Sequence, residues 1–168
     1  MKPIVNDDYI PGKIIRHYDI SYFAAWLKRT SQTLIVTSGG FDPIHIGHIR
    51  CIQGSSRLFP RGRLIVIVNG DGFLQRKKGK PFMNIEERLE IVAAIEGVDH
   101  VVEWADETQN VCGALEILKP DVFTKGGDRI PDNIPEWRTC IEHNIKMMFN
   151  VGNGGKVQSS SELIANAN

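Results

Sequence analysis

The chain has 168 residues, 42% hydrophobic and 24% charged, a length and composition that fit one domain with its own buried core. Its formal net charge is zero, which excludes nucleic acid as the main partner because duplex binding needs a basic face. Three widely spaced cysteines, no apolar run long enough to span a membrane and no signal peptide core predict a cytoplasmic protein with neither disulfides nor a membrane partner.

The first 32 residues form an N-terminal segment whose pattern differs from the rest. Residues 1–19 contain two prolines and show no period, which predicts an irregular arm. Ser21 is then predicted to cap a short helix with Phe23, Trp26 and Leu27 on one side. That apolar side must pack against another surface, either in this domain or on a second subunit.

From residue 33 onward, strand patterns alternate with helix patterns. Alternation of this kind gives a parallel sheet with right-handed crossovers. Over residues 33–168 we therefore predict a Rossmann-like three-layer α/β sandwich, with a five-stranded parallel sheet and helices on both faces. The strands are predicted at 33–38, 63–69, 99–103, 121–124 and 145–150, and the helices at 46–58, 84–96, 109–118, 135–143 and 159–166.

A glycine-rich turn follows the first of these strands. Residues 38–50 read S-G-G-F-D-P-I-H-I-G-H-I-R and lead into the next helix. A turn of this kind binds phosphate in α/β sheets, because free backbone N–H groups and the helix dipole point at the same place. The sequence therefore places an anion-binding site at this turn.

The segment from Gly39 to His48 resembles the G-x-F-D-x-x-H-x-G-H signature of the cytidylyltransferase-like nucleotidyltransferases. Later segments resemble the family in the same order, and the similarity covers residues 33 to 165. The later segments that resemble the family are Asp71 at the end of a strand, Lys77, the E-x-R helix with Arg88, the K-G-G-D segment 125–128 typical of ADP-heptose synthases, and Ser159–Ser161 in place of a terminal S-T-T.

This resemblance implies nucleotidyl transfer, in which a substrate phosphate attacks the α-phosphorus of a nucleoside triphosphate and pyrophosphate leaves. The attacking phosphate is already a nucleophile, so the protein must mainly align two anions and neutralise their charge. Positive donors therefore matter more than a base. The resemblance gives His45, His48 and Lys77 these catalytic roles, with Lys80 as the fallback for Lys77.

The resemblance also implies a nucleotide-binding set and an acceptor-binding pair. Phe41 belongs to the first set, either by touching the nucleotide or by packing beneath the loop. The pair is Asp42 and Asp71, and for Asp42 a second interpretation is that it caps the helix or shapes the loop. The nucleotide-binding set is Gly39, Gly40, Phe41, Gly47, Arg88, Lys125, Gly127, Asp128, Ser159, Ser160 and Ser161.

Magnesium is the expected cofactor. Asp71 or Asp128 could orient the ion through water, but the sequence has no close pair of carboxylates at the site. We therefore predict that the triphosphate itself carries most of the Mg²⁺ ligands and that the protein supplies no dedicated metal site.

Several functions remain open on sequence alone. The K-G-G-D segment favours ATP and a sugar 1-phosphate, as in ADP-heptose synthases, over CTP and glycerol 3-phosphate. A third hypothesis is a nucleotide-binding regulator without catalytic activity. It is suggested by Lys156, which stands where relatives carry an arginine and offers a point charge rather than a bidentate donor. Relatives often dimerise, so the expected partners are the triphosphate, a small phosphorylated sugar or polyol, and a second copy of the chain.

Overall fold

The computed structural model describes residues 9–127, 129–152 and 158–167. Within these residues no helix is long and apolar enough to cross a membrane. The strands are β1 (Ile14–Ile15), β2 (Leu34–Gly39), β3 (Arg63–Asn69), β4 (His100–Trp104), β5 (Val122–Thr124) and β6 (Lys146–Met148). The α-helices are α1 (Ile20–Leu27), α2 (Ile46–Ser56), α3 (Asp71–Lys78), α4 (Ile85–Ala93), α5 (Cys112–Leu118), α6 (Trp137–Glu142) and α7 (Ser160–Asn166).

The six described strands form one parallel sheet in the order β1-β4-β3-β2-β5-β6. Strand β2 lies at its centre, where Ile35 is in register with Leu64 of β3 on one side and Val122 of β5 on the other. The chain winds outward from β2 in both directions. In such sheets ligands bind at the carboxyl ends of the strands where the winding reverses. The topology therefore places the site at the ends of β2 and β5.

Side chains of the central strands alternate between two hydrophobic cores. Val36 and Ile65 belong to the core that includes residues of α1, α5 and α6, whereas Ile35 and Val66 belong to the core that includes residues of α2 and α4. Because both faces are covered, β3 is apolar without interruption from Leu64 to Val68. The Rossmann-like sandwich predicted from the sequence is therefore confirmed in its parallel sheet and flanking helices.

The predicted number of five strands is wrong, because the N-terminal segment adds a sixth. Ile14 and Ile15 pair with Val101 and Val102 at the edge of the sheet. Two residues are too few to give a recognisable alternation, so this pairing depends on a partner far along the chain. Helix α1 then packs on the same sheet with Phe23 fully buried, so this domain itself covers the apolar side.

Helix α3 occupies a segment for which the sequence pattern predicted no helix. It begins at Asp71, buries only Leu74, and ends before Gly79, whose φ of 85° suits glycine. A helix with one buried residue has no apolar stripe, so its sequence lacks the periodicity that would predict a helix. Lys77 is therefore carried on a helix rather than on a mobile loop.

Candidate functional site

A cleft of about 810 Å³ opens at the carboxyl ends of β2 and β5, the size of a site for a small organic ligand. Most of the residues that the sequence proposed lie on its walls. They are Gly39, Gly40, Phe41, His45, Gly47, His48, Lys77, Lys125, Gly127, Ser159, Ser160 and Ser161. Asp128 and Lys156 lie outside the described residues.

Two histidines cap the start of α2 at this cleft. Nδ1 of His45 accepts a hydrogen bond from the backbone N–H of Gly47 at 3.1 Å, and Nδ1 of His48 accepts one from the backbone N–H of His45 at 3.2 Å. The two imidazole rings stack with 3.7 Å between their centroids. Because each Nδ1 is an acceptor, the ring hydrogen of each neutral imidazole is on Nε2, which is free to donate.

Both histidines are held neutral. Burial lowers the pKa of His48 to about 3, helped by the nearby positive groups His45 and Lys77, and burial also lowers the pKa of His45. Two imidazolium ions stacked this closely would repel each other. At neutral pH the pair therefore presents two N–H donors without a formal charge.

The glycines of this turn leave space for the protein's own rings. A Cβ on Gly47 would lie 2.9 Å from Cε1 of His45, and one on Gly39 would lie 3.0 Å from Cζ of Phe41. Phe41 is buried and meets the His48 ring edge-on, with 5.1 Å between centroids. This supports the interpretation that Phe41 packs beneath the loop, where it fixes the orientation of His48.

Two lysines from separate elements reach the cleft. Nζ of Lys125, directly after β5, donates to Oγ of Ser38 at 3.2 Å, and burial lowers its pKa. Lys77 is exposed overall, yet partial burial of its ammonium and the neighbouring Arg129 and Lys78 lower its pKa. A lowered ammonium pKa reports a site that gains from an anion. Both lysines are thus placed to bind phosphate.

The three lysines around α3 have different roles. Lys78 pairs with Asp42, whereas Lys77 lines the cleft and Lys80 does not. The sequence missed Arg50 and Arg129, two exposed residues that also line the cleft. Arg50 lies three residues after Gly47 on α2 and hence on the same helix face, a spacing that could have revealed it.

Arg88 lies beneath the cleft and outside its lining, and its predicted contact with the nucleotide stays a prediction. Its side chain is fully buried and donates to the carbonyl oxygens of Met83, Gly40 and Asn69 and to Oδ1 of Asp71. Oδ1 of Asp71 lies 2.6 Å from the guanidinium of Arg88. Asp71 is outside the cleft lining, and its predicted contact with the acceptor stays a prediction. Arg88 therefore ties the glycine-rich turn to the end of β3.

Asp42 is likewise engaged by the protein itself, and its predicted contact with the acceptor stays a prediction. The residue is 3% exposed, pairs with Lys78, and accepts from the backbone N–H groups of Phe82 and Met83 at 2.8 and 2.6 Å. Burial acts to raise its pKa, but these hydrogen bonds outweigh burial and the pKa is lowered. Its carboxylate shapes the loop between β2 and α2, as the second interpretation predicted.

Helix α7 docks on the glycine-rich turn through its first residues. Oγ of Ser159 accepts from the backbone N–H of Glu162 at 3.1 Å, and Oγ of Ser160 donates to the carbonyl oxygen of Pro43 at 2.8 Å. Ser159, Ser160 and Ser161 also line the cleft, so their predicted contact with the nucleotide remains a prediction. Within the described part of the chain, no group of three His, Cys, Asp or Glu side chains could hold a metal ion.

Comparisons with known proteins identify the family of the chain. The model of the cytidylyltransferase-like family matches residues 36–164. The bifunctional protein HldE of Nitrosococcus oceani is 32% identical over 141 residues, which are 83% of this chain and 27% of that protein. HldE of Haemophilus influenzae is 36% identical over 124 residues, or 72% of this chain and 25% of that protein. The chain thus spans about a quarter of the length of these curated relatives.

A solved structure supports the fold. The lipopolysaccharide core biosynthesis protein from Thermoplasma volcanium superposes with a TM-score of 0.60, covering 71% of this chain and 96% of that chain. The two sequences are 22% identical, so this likeness concerns the fold alone.

Proposed function

Because the chain belongs to the cytidylyltransferase-like family of nucleotidyltransferases, we propose that it transfers a nucleotidyl group from a nucleoside triphosphate to a small phosphorylated sugar or polyol. The observation that carries this proposal is the stacked pair of neutral imidazoles, His45 and His48, in a cleft that Lys77 and Lys125 also line. Two N–H donors and two ammonium groups converge where the sheet topology expects an anion.

The reaction needs charge stabilisation more than proton transfer. An oxygen of the acceptor phosphate forms a bond to the α-phosphorus while the bond to the leaving pyrophosphate breaks, and negative charge builds on the phosphoryl oxygens. Nε2–H of His45 and His48 donates to these oxygens. Lys125, held by Ser38, and Lys77, on α3, supply positive charge from two sides. Each group is in place before the reaction, so little reorganisation is needed.

Magnesium would enter with the triphosphate. Phosphate oxygens are among the ligands that Mg²⁺ prefers, so the triphosphate itself can supply most of them. When bound, Mg²⁺ would neutralise part of the charge on the phosphates. The roles of the histidines and lysines given above do not depend on a protein ligand to the metal.

We propose ATP as the nucleotide and CTP as the alternative. The K-G-G-D segment and the similarity to bifunctional HldE proteins support an enzyme of the ADP-heptose-synthase type, with a sugar 1-phosphate as acceptor. The alternative is a glycerol-3-phosphate type that uses CTP. A regulator that binds nucleotide without turnover is less well supported, because both histidines of the motif are present and cap the start of α2.

Nucleotide binding is tested by the shift in melting temperature of the chain with Mg²⁺ and each of ATP, CTP, GTP and UTP. A ligand that binds the folded state stabilises it in proportion to its affinity, so the nucleotide used should give the largest shift. A largest shift with CTP supports the glycerol-3-phosphate type. Absence of a shift with all four contradicts the proposal.

Turnover is tested by pyrophosphate release with a panel of phosphorylated sugars and polyols. His48→Ala should abolish release while the chain still melts cooperatively, because it removes one donor and leaves the core intact. His143→Ala is the matched control, since His143 is exposed at the end of α6 and is not among the residues that line the cleft. Nucleotide binding by wild type without any release would favour the regulator.

A further inference from the structure

Helix α3 carries three cationic residues in succession, Arg76, Lys77 and Lys78, and each has different surroundings. Lys77 is among the residues that line the cleft, whereas Arg76 and Lys78 are not. Successive residues of an α-helix project about 100° apart, so Arg76 and Lys78 lie on opposite sides of Lys77. The contacts of these two neighbours therefore decide the direction in which Lys77 points.

Hydrophobic packing alone does not fix the orientation of α3. Most helices in proteins are held by an apolar face, but of the eight residues of α3 only Leu74 is buried. The ion pair of Asp71 with Arg88 holds the start of the helix, six residues before Lys77. The last turn, which carries Lys77, must therefore be held by polar contacts of its own.

Arg76 fastens one side of this turn to the β4–α5 loop, which comprises residues 105–111. Its Nε donates to Oε1 of Gln109 at 2.6 Å, and its Nη2 donates to the carbonyl oxygens of Asp106 and Thr108 at 3.2 Å each. Nη1, the nitrogen nearest to Gly72, makes none of these three bonds. A single planar guanidinium thus binds three oxygens of one loop, which the ammonium of a lysine cannot reproduce.

Two further contacts complete the attachment of α3. Nε2 of Gln109 donates to the carbonyl oxygen of Phe73 at 3.3 Å, so the β4–α5 loop also binds the backbone of the helix. On the opposite side, Nζ of Lys78 lies 2.5 Å from Oδ2 of Asp42 and donates to its carbonyl oxygen at 2.7 Å. The helix is therefore held from both sides of Lys77.

We propose that Arg76 is a positioning residue, whose bonds to the β4–α5 loop hold α3 so that the ammonium group of Lys77 faces the triphosphate. This inference rests on the proposed function, in which Lys77 supplies positive charge to the phosphates. Because Arg76 is outside the cleft lining, it acts through Lys77 and does not itself bind the ligand. Exposed hydrogen bonds add little to overall stability, so variants of Arg76 and Gln109 should fold.

The attachment of α3 is tested first without ligand, by the rate of trypsin cleavage after residues 76–78 of the full chain. Gln109→Ala removes the acceptor for Arg76 and the donor to Phe73 but leaves the sequence of α3 unchanged. Cleavage requires local opening of the helix, so it should be about threefold faster or more in Gln109→Ala than in wild type. Equal rates would show that these bonds do not hold α3 and would overturn the inference.

The action through Lys77 is tested by a double-mutant cycle on the affinity for Mg²⁺ and the triphosphate that gives the largest melting shift, which we expect to be ATP. Arg76→Ala and Lys77→Gln should each weaken this affinity about tenfold, as expected for one charged hydrogen bond. The double variant should match Lys77→Gln within about twofold, because no ammonium is left to position. Losses that multiply would show that Arg76 acts independently of Lys77 and would overturn the inference.

Arg76→Lys separates position from charge. It keeps a positive charge at the same place but cannot bind three oxygens of the loop at once, so it should bind the triphosphate as weakly as Arg76→Ala does. Wild-type affinity in Arg76→Lys would assign the effect to charge alone and overturn the inference. Arg138→Ala is the control, since Arg138 is an exposed arginine outside the cleft lining, and it should match wild type.

Pyrophosphate release separates this inference from the proposed function. With an acceptor that is turned over, Arg76→Ala and Gln109→Ala should each lower kcat about tenfold, because a displaced catalytic group is costly. Neither change should lower kcat further in the Lys77→Gln chain, and full rates in both single variants would overturn the inference. A wild type that binds the triphosphate and shows the coupling of Arg76 to Lys77, but releases no pyrophosphate, contradicts the proposed function and leaves the role of Arg76 standing.

Discussion

Nδ1 of His48 accepts a hydrogen bond from the backbone N–H of His45, and the two imidazoles stack at 3.7 Å on the open start of α2. The bond serves the helix and the site at once. It satisfies a backbone donor that the helix leaves unpaired, and it fixes the tautomer that directs Nε2–H outward. A helix cap made of histidines thus becomes a pair of oriented donors.

The neutrality of His48 predicts a pH dependence of stability. Its pKa is about 3 in the folded chain against 6.5 for the free side chain. Between these values the unfolded chain binds a proton that the folded chain does not, so stability is complete above pH 6.5 and falls as the pH drops towards 3. We expect wild type to lose about 1–3 kcal/mol more than His48→Gln over this window.

Urea unfolding at a series of pH values from neutral to acidic measures this difference. The comparison with His48→Gln removes the contribution of other groups, among them His100, whose pKa is also lowered by burial. Equal slopes for the two proteins would show that His48 titrates normally in the folded chain.

The space beside Gly47 predicts an effect on activity that is separate from stability. Gly47→Ala places a Cβ 2.9 Å from the His45 ring, so the ring must move from its capping position. Alanine favours a helix by about 1 kcal/mol over glycine, which offsets part of the strain. We expect pyrophosphate release to fall by about 100-fold while the melting temperature changes little, since small displacements of catalytic groups are costly.

Gly72→Ala is the matched control for this change. Gly72 is also the second residue of a helix, α3, and a Cβ there meets only the flexible end of Arg76 at 3.1 Å. This variant should keep full activity. If both variants release pyrophosphate at the wild-type rate, the position of the His45 ring is not important for transfer.

The separation of the basic residues around α3 predicts different effects of two lysines. Lys77 lines the cleft, whereas Lys80 lies beyond the end of the helix and is exposed. Lys77→Gln should lower the rate of pyrophosphate release by about 100-fold, the typical loss of one donor to a developing charge. Lys80→Gln should match wild type.

Steady-state rates for the two variants, with the wild-type nucleotide and acceptor, check this assignment. The reverse order, with Lys80→Gln slow and Lys77→Gln normal, would mean that α3 rearranges when the triphosphate binds.

The sequence predicted the elements whose signals are local. β2 begins with the apolar residues Leu34 to Val36, β3 is apolar from Leu64 to Val68, and the glycine-rich turn with two histidines lies between β2 and α2. Strand β1 was missed because Ile14 and Ile15 are defined by pairing with β4, 87 residues away for Ile14 and Val101. Helix α3 was missed because it has no apolar stripe. It is held by contacts with residues far along the chain, such as the hydrogen bond from Arg76 to Gln109.

The sequence also could not predict which charged residues are buried. Arg88 and Asp42 lie at motif positions, and a motif does not tell whether a side chain faces the ligand or the loop behind it. The local pattern thus located the cleft, and long-range packing decided which side chains enter it.

The buried guanidinium of Arg88 predicts a large loss of stability on its removal. It is fully buried and supplies hydrogen bonds to three carbonyl oxygens and to Asp71, so it joins the glycine-rich turn, β3 and the start of α3. Arg88→Met leaves buried carbonyl oxygens without donors. We expect the free energy of unfolding to fall by about 3–5 kcal/mol, the usual result of removing one partner of a buried charged network.

Arg138→Ala provides the comparison for Arg88. Arg138 forms a pair with Glu142 at 2.9 Å, but its side chain is 88% exposed. An exposed pair contributes about 0–1 kcal/mol, so urea unfolding should barely distinguish this variant from wild type. Arg88 also holds the carbonyl oxygens of Gly40 and Asn69 in place. The rise in melting temperature on adding ATP should therefore be smaller for Arg88→Met than for wild type. A variant as stable as wild type would show that water can replace the guanidinium, and the cleft floor would then be looser than these contacts imply.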